Sequence, residues 1–179
     1  MNKALDVLYN EHDTIKSVIE LREKIGTLAL KDASKYKNII IELIGFFRNY
    51  ADKYHHYKEE KLLFPLISEK NDMLKDSIIE EMLDNHRDFR NYVKSMESEA
   101  NSGNYTECNK ILSEYTEKLL YHIAAEDEEL FQMAETMFDD KELDKMYFDF
   151  QDIDIELGLE LKRDFEKMKK QLDSEISEQ

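Results

Sequence analysis

Apolar residues recur at intervals of three and four along almost the whole chain, and very little interrupts them. The 179 residues include four glycines and one proline, two residue types that together fill roughly 12% of positions in average usage. Valine occurs three times. A chain so poor in turn formers and in β-branched valine is not built from many short strands. Long helices joined by few turns remain. The aromatic content of 11% and hydrophobic content of 41% are too high for a disordered acidic tail, and the length fits a domain with a real core.

The helical phase divides the chain into five predicted elements. The first runs from about Lys3 to Leu30, with Leu5, Leu8, Ile15, Ile19 and Ile25 on one side. The second runs from about Ser34 to Leu63 through Ile40, Ile44, Phe47, Ala51 and Leu62. Pro65, which has no amide hydrogen, marks its end or a kink. The third runs from about Leu74 to Ala100 through Ile79, Met82, Phe89, Val93 and Met96. Asn101 to Asn104 form the clearest loop. The fourth runs from about Tyr105 to Phe138, and a last helix from about Lys141 to Ser174 carries Phe150, Leu157, Phe165 and Leu172. The expected fold is an all-α, antiparallel up-down four-helix bundle over residues 1–138. An additional C-terminal helix over 139–179 packs on the bundle or on a partner subunit.

Five histidines punctuate these helices. His12, His55, His86 and His122 each fall on the apolar stripe of a different helix. His56 is turned about 100° from His55, nearer the edge of the stripe. In an antiparallel pair, two residues at one level lie equally far from the connecting turn. The midpoint of His12 and His55 falls at Ala33–Ser34, that of His55 and His86 at Lys70–Asn71, and that of His86 and His122 at Asn104. All three are predicted turns. Each helix therefore offers one inward imidazole in about the same layer.

Glu59 follows His55 by four residues, and Glu126 follows His122 by four, a spacing that puts both side chains on one helix face. Carboxylates buried beside imidazoles, away from lysine or arginine, are costly unless a cation compensates them. Four imidazoles and two carboxylates around one point suit two divalent transition-metal ions. Two imidazoles would cap each ion, and each carboxylate would bridge both.

These residues resemble the hemerythrin-like (HHE cation-binding) family. The resemblance rests on His12, on the run from His55 through Glu59 to Phe64 and Pro65, on His86, and on the run from His122 through Glu126 to Phe131. In both runs the phenylalanine lies nine residues after the histidine, which points to His55 rather than His56. The resemblance implies a non-haem di-iron centre with oxo or hydroxo and carboxylate bridges. Its ligands would be His12, His55, Glu59, His86, His122 and Glu126. Asp127 also satisfies the His-x-x-x-x-Asp spacing of the oxygen carriers. Those carriers have a second histidine four residues after the one in the third helix. Arg90 stands there and offers no neutral nitrogen, so an open position on each metal is expected. The four-histidine, two-glutamate set is similar to the iron–sulfur cluster repair branch, whose members often carry a cysteine-bearing N-terminal segment that is not seen in this sequence. Metal identity, iron or manganese, stays open.

Several functions follow from that resemblance. The centre would bind or react with O₂, NO or peroxide as a binding or sensing protein, with Arg90 speaking against stable reversible O₂ carriage. It would alternatively turn over peroxide or NO as an enzyme, with the irons as electron source and Lewis acid. A third function is iron storage, delivery or cluster repair. Tyr115, seven residues before His122, reads as a core tyrosine or as a hydrogen-bond donor to a bound ligand. Tyr54 and His56 flank the second-helix motif. Cys108, roughly 21 Å from His122 at helical rise, reads as an incidental thiol.

Charge and composition exclude other classes. Twenty-five basic against 41 acidic residues leave a net charge of −16, which speaks against nucleic acid and anionic membranes as partners. A single cysteine rules out an internal disulfide and a cysteine-based metal cluster. Glycine is too scarce for a phosphate-cradling loop. No apolar run approaches a membrane span, and Met1 to Glu11 lacks the basic start and apolar stretch of a signal peptide. A cytoplasmic monomer or homodimer is the expectation.

Overall fold

The computed structural model describes residues 3–177, and among them the chain is all-α with no strand. Met1, Asn2, Glu178 and Gln179, which the expected units and leader reading include, lie outside the described residues. The helices are α1 (Lys3–Ile19), α2 (Arg22–Lys31), α3 (Ala33–Phe46), α4 (Phe64–Lys70), α5 (Asp72–Leu74), α6 (Glu80–Asn101), α7 (Tyr105–Ala125), α8 (Phe131–Met137), α9 (Asp140–Leu157) and α10 (Leu159–Ser177).

The polar junctions seen in the sequence are where the chain turns. The Asp32 carboxylate accepts the Lys35 amide and starts α3. The Asn71 side chain accepts the Met73 amide and starts α5. Gly103 adopts φ +77 between α6 and α7, a conformation that a side chain would strain. Asp139 and Glu142 cap each other's backbone amides at the start of α9, a reciprocal arrangement that satisfies orphan helix donors.

Three helix boundaries differ from the expectation. The first helix breaks at Glu20–Leu21, where the Leu21 amide reaches the Val18 carbonyl and the tightened turn brings Leu21 and Ile25 inside. The second does not end at Leu63. Residues Phe47–His56 and Glu59–Leu63 form wide turns in which the Tyr57 amide reaches Asp52 O and the Phe64 amide reaches Glu59 O. The helical backbone runs on through Leu63 and Phe64, and Pro65, which has no N–H to give, sits directly after the wide turn. The last helix breaks at Gly158, whose φ of +105 is open only to glycine at low cost. A matching wide turn spans Glu126–Leu130, with the Phe131 amide bonded to Glu126 O.

Two apolar clusters hold these helices together. One gathers Ile15, Phe47, Tyr50, Phe89, Tyr115 and Leu119; the other gathers Leu5, Leu8, Phe64, Leu130, Phe131 and Phe150. α6 packs on α7, α3 on α6, and α2 on α3 and α7. α9 lies along α1 and sends Met146 and Phe150 into the second cluster. Full burial of a phenylalanine such as Phe150 contributes about 1.5–3 kcal/mol. α10 returns toward α1 and sends Phe165 and Leu172 into the first cluster. No helix among the described residues is long and apolar enough to cross a membrane.

Candidate metal centre

A layer of buried polar side chains lies between the two apolar clusters. Phe131 of one cluster stacks on His12 with ring centroids 5.3 Å apart, and Phe89 of the other meets His122 edge-on at 5.1 Å. His12, His55, Glu59, His86, His122 and Glu126 are all 3% exposed or less. The level predicted from the turn midpoints is therefore met: four histidines from separate helical stretches come together around two glutamates.

The carboxylates reach across the layer. Glu126 Oε2 lies 3.3 Å from both His12 Nε2 and His122 Nε2, and Oε1 lies 4.0 Å from His86 Nε2. Glu59 Oε1 lies 3.4 Å from His55 Nε2, and Oε2 lies 3.6 Å from His86 Nε2. His86 Nε2 and His122 Nε2 face each other at 3.0 Å. The wide turns begin at Glu59 and Glu126 themselves. Such inserted residues re-aim side chains and are frequent at functional sites.

Three of the four histidines hand their outer nitrogen to another carboxylate. His12 Nδ1 donates to Asp127 Oδ1 at 2.6 Å, His55 Nδ1 to Glu11 Oε2 at 3.2 Å, and His86 Nδ1 to Glu60 Oε1 at 2.9 Å. This fixes the tautomer that leaves Nε2 free to point inward, the arrangement typical of metal-binding imidazoles. Asp127 thus sits at the rim of the layer, while Glu126 faces into it. Glu11 and Glu60 were not legible as partners, although each is adjacent in sequence to a site residue. Arg90 faces away, bonding Asp52 at 2.8 Å and Glu60 at 2.5 Å.

The electrostatics are those of a site that lacks a compensating protein cation. Among the described residues, no lysine or arginine lies within ion-pair distance of Glu59 or Glu126. Their four carboxylate oxygens, with His12 Nε2 and His55 Nε2, are buried and have no hydrogen-bond partner. Burial raises the Glu59 carboxyl well above its usual range, and the charges of Glu126 and Glu11 push the same way. Burial also works against Glu126, but His122 and His12 bring it down to about 2. Burial lowers His55 and His86 well below the usual imidazole value and takes His122 to about 4. His12 is the exception: burial lowers it, yet Asp127 and Glu126 raise it overall. Soft-to-borderline nitrogen donors and hard carboxylates in this ratio fit a divalent transition metal. They also fall into a group of His12, His55, Glu59 and Glu126 and a group of His86 and His122 with His56.

His56 is buried, contrary to the stripe-edge placement expected from its phase. The wide turn over Phe47–His56 rotates it inward, which an ideal helical wheel does not anticipate. Its ring stacks on His86, centroids 3.8 Å apart and 15° from parallel. One of its ring nitrogens lies within 4.8 Å of those offered by His86 and His122, so His56 borders the expected set. With Phe47, Phe89, Arg90 and Tyr115 it lines a cavity of about 190 Å³. Tyr115 packs among Phe47, Phe89 and Tyr92. Cys108 is buried and contacts the Met96 carbonyl at 3.4 Å, away from the layer.

A family model for the hemerythrin HHE cation-binding domain matches residues 3–134 of the chain. No curated protein and no solved structure matches it.

Proposed function

Because the chain belongs to the hemerythrin HHE cation-binding domain family, we propose that its buried layer holds two non-haem iron ions and binds or reacts with a small ligand, O₂, NO or peroxide. The ligand set is His12, His55, Glu59, His86, His122 and Glu126. The observation that carries this reading is the pair of buried carboxylates that touch imidazoles from all four histidine-bearing stretches and no protein cation. We infer the corresponding architecture as well: an antiparallel four-helix bundle over residues 1–138, with residues 139–179 as an added C-terminal helical unit.

When bound, the irons supply electrons and Lewis acidity. The side chains do the remaining work. Glu59 and Glu126 would balance the cationic charge. Asp127, Glu11 and Glu60 orient three imidazoles, hold a proton on Nδ1 and turn Nε2 toward the layer. Phe89 and Phe131 bracket the layer and exclude water. Arg90 offers no nitrogen to the site, which leaves room for an exogenous ligand.

The purified protein is expected to carry about two irons per chain, with near-ultraviolet charge-transfer absorption. Mixing the reduced protein anaerobically with O₂, NO and H₂O₂ in turn then separates the functions. A reversible adduct supports binding, and multiple turnovers support an enzyme. Transfer of iron to an apo iron–sulfur protein supports delivery instead.

A further inference from the structure

The residues beyond the family match reach the metal layer through a buried quartet of charges. Glu11 of α1 is 2% exposed, and its Oε2 holds His55 Nδ1. Its other oxygen, Oε1, receives Lys58 Nζ at 2.7 Å and Lys162 Nζ at 2.6 Å. Both ammonium groups also engage Asp154, Lys58 at Oδ1 and Lys162 at Oδ2, each at 2.5 Å. Lys58 and Asp154 are buried, and the Lys162 side chain is 12% exposed. Two carboxylates and two ammoniums form a closed ring of zero net charge. Neither α9 nor α10 alone completes it, since Asp154 comes from one and Lys162 from the other.

The ring is fixed to the rest of the fold at a second point. Tyr54, next to His55, places its hydroxyl 2.8 Å from Leu157 O and 2.7 Å from Gly158 O, at the break between α9 and α10. The break that Gly158 permits is what turns α10 back so that Lys162 reaches Glu11. A buried ion pair contributes little net stability by itself, because desolvation offsets the attraction. Its geometric consequence here is specific: the acceptor strength of Glu11 toward His55 depends on how much of its charge the two lysines draw off.

We propose that Asp154 and Lys162 are positioning residues for His55, acting through Glu11 and Lys58, so that the C-terminal helices set the electron donation of one metal ligand. This rests on His55 being a ligand. Losing Lys162 leaves Glu11 more negative, strengthens its hold on the His55 N–H and favours the ferric ion. Losing Asp154 leaves both lysines to Glu11, weakens that hold and favours the ferrous ion.

The test is a spectroelectrochemical titration of the iron-loaded full chain, with iron affinity measured beside it. The midpoint is expected to fall in Lys162→Met, to rise in Asp154→Asn, and to return to the native value in Lys162→Arg. Glu11→Gln is expected to weaken iron binding about tenfold, the scale of lost outer partners of metal-bound histidines. Lys169→Met breaks a different α10 contact, the exposed pair with Glu20, and should move nothing. General loosening of α10 would shift Lys162→Met and Asp154→Asn in the same direction, and that result, or unmoved midpoints, overturns the proposal. A native chain that loads no metal overturns it together with the reading it rests on. A native chain with two irons and unresponsive variants overturns the positioning role alone.

Discussion

His12 and Asp127 meet at 2.6 Å through the histidine's outer nitrogen, on the side of the ring away from Glu126. Asp127 also holds Lys16 at 3.3 Å, so it is anchored independently of the layer. Its task is to keep the proton on Nδ1. Asp127→Ala should leave the fold intact and reduce iron affinity by about 10- to 100-fold. Competition against a chelator measures it, and unchanged affinity would remove Asp127 from the account.

The six-residue set makes a sharp distinction between neighbours. His55→Ala and His122→Ala should each abolish near-ultraviolet iron absorption. His56→Ala, which removes a ring stacked on His86, should retain two irons per chain. Full iron binding by the His55→Ala, His122→Ala double variant would sink the ligand assignment.

Loading the site should release protons. Burial raises the Glu59 carboxyl, and Asp127 with Glu126 raises His12 despite its burial. Both atoms must lose any proton to bind a cation. Adding Fe(II) anaerobically to the metal-free chain in weak buffer at neutral pH should therefore acidify the solution. Glu59→Gln should reduce the release, and a proton-neutral titration of the native chain would contradict the assigned charges.

The metal-free protein should be weakened by mild acid. His122 sits at about 4 in the folded chain against roughly 6.5 when unfolded. The unfolded state therefore binds more protons between those values. The His122 contribution is fully present above about pH 6.5 and is lost as pH falls toward 4, by an amount on the order of a few kcal/mol. His55 and His86, also lowered, add in the same direction, while the raised His12 and Glu59 act against them, and the lowered groups set the expected sign. Glu126, at about 2, extends the loss below its unfolded value of roughly 4.3. Urea unfolding at pH 7 and pH 5 reads this directly, and a lower midpoint at pH 7 would reverse the sign.

Much of the layer was legible from helical phase. The three turn midpoints place His12, His55, His86 and His122 at one height because each connection is short and polar. What phase could not give is rotation after a wide turn. His56 moves inward and α4 continues through Pro65 for that reason. The signal was present but unread: Phe64 follows Glu59 by five, and Phe131 follows Glu126 by five, the same interval as the amide-to-carbonyl bonds found there. Glu11, Lys58, Asp154 and Lys162 escaped because a buried charge is recognisable only through its partner, and these partners lie up to 151 residues apart.

The crossing of the two carboxylates has a consequence for how the molecule coheres. The chain reads as two halves, each with a lone histidine followed by a His-x-x-x-Glu run: His12 with His55 and Glu59, then His86 with His122 and Glu126. Glu126 of the second half touches His12 of the first, and Glu59 of the first touches His86 of the second. Each half is thus completed by the other, as in a pair of clasped hands. An ion seated there is a rivet between halves, and the force holding the rivet is the force holding the halves together.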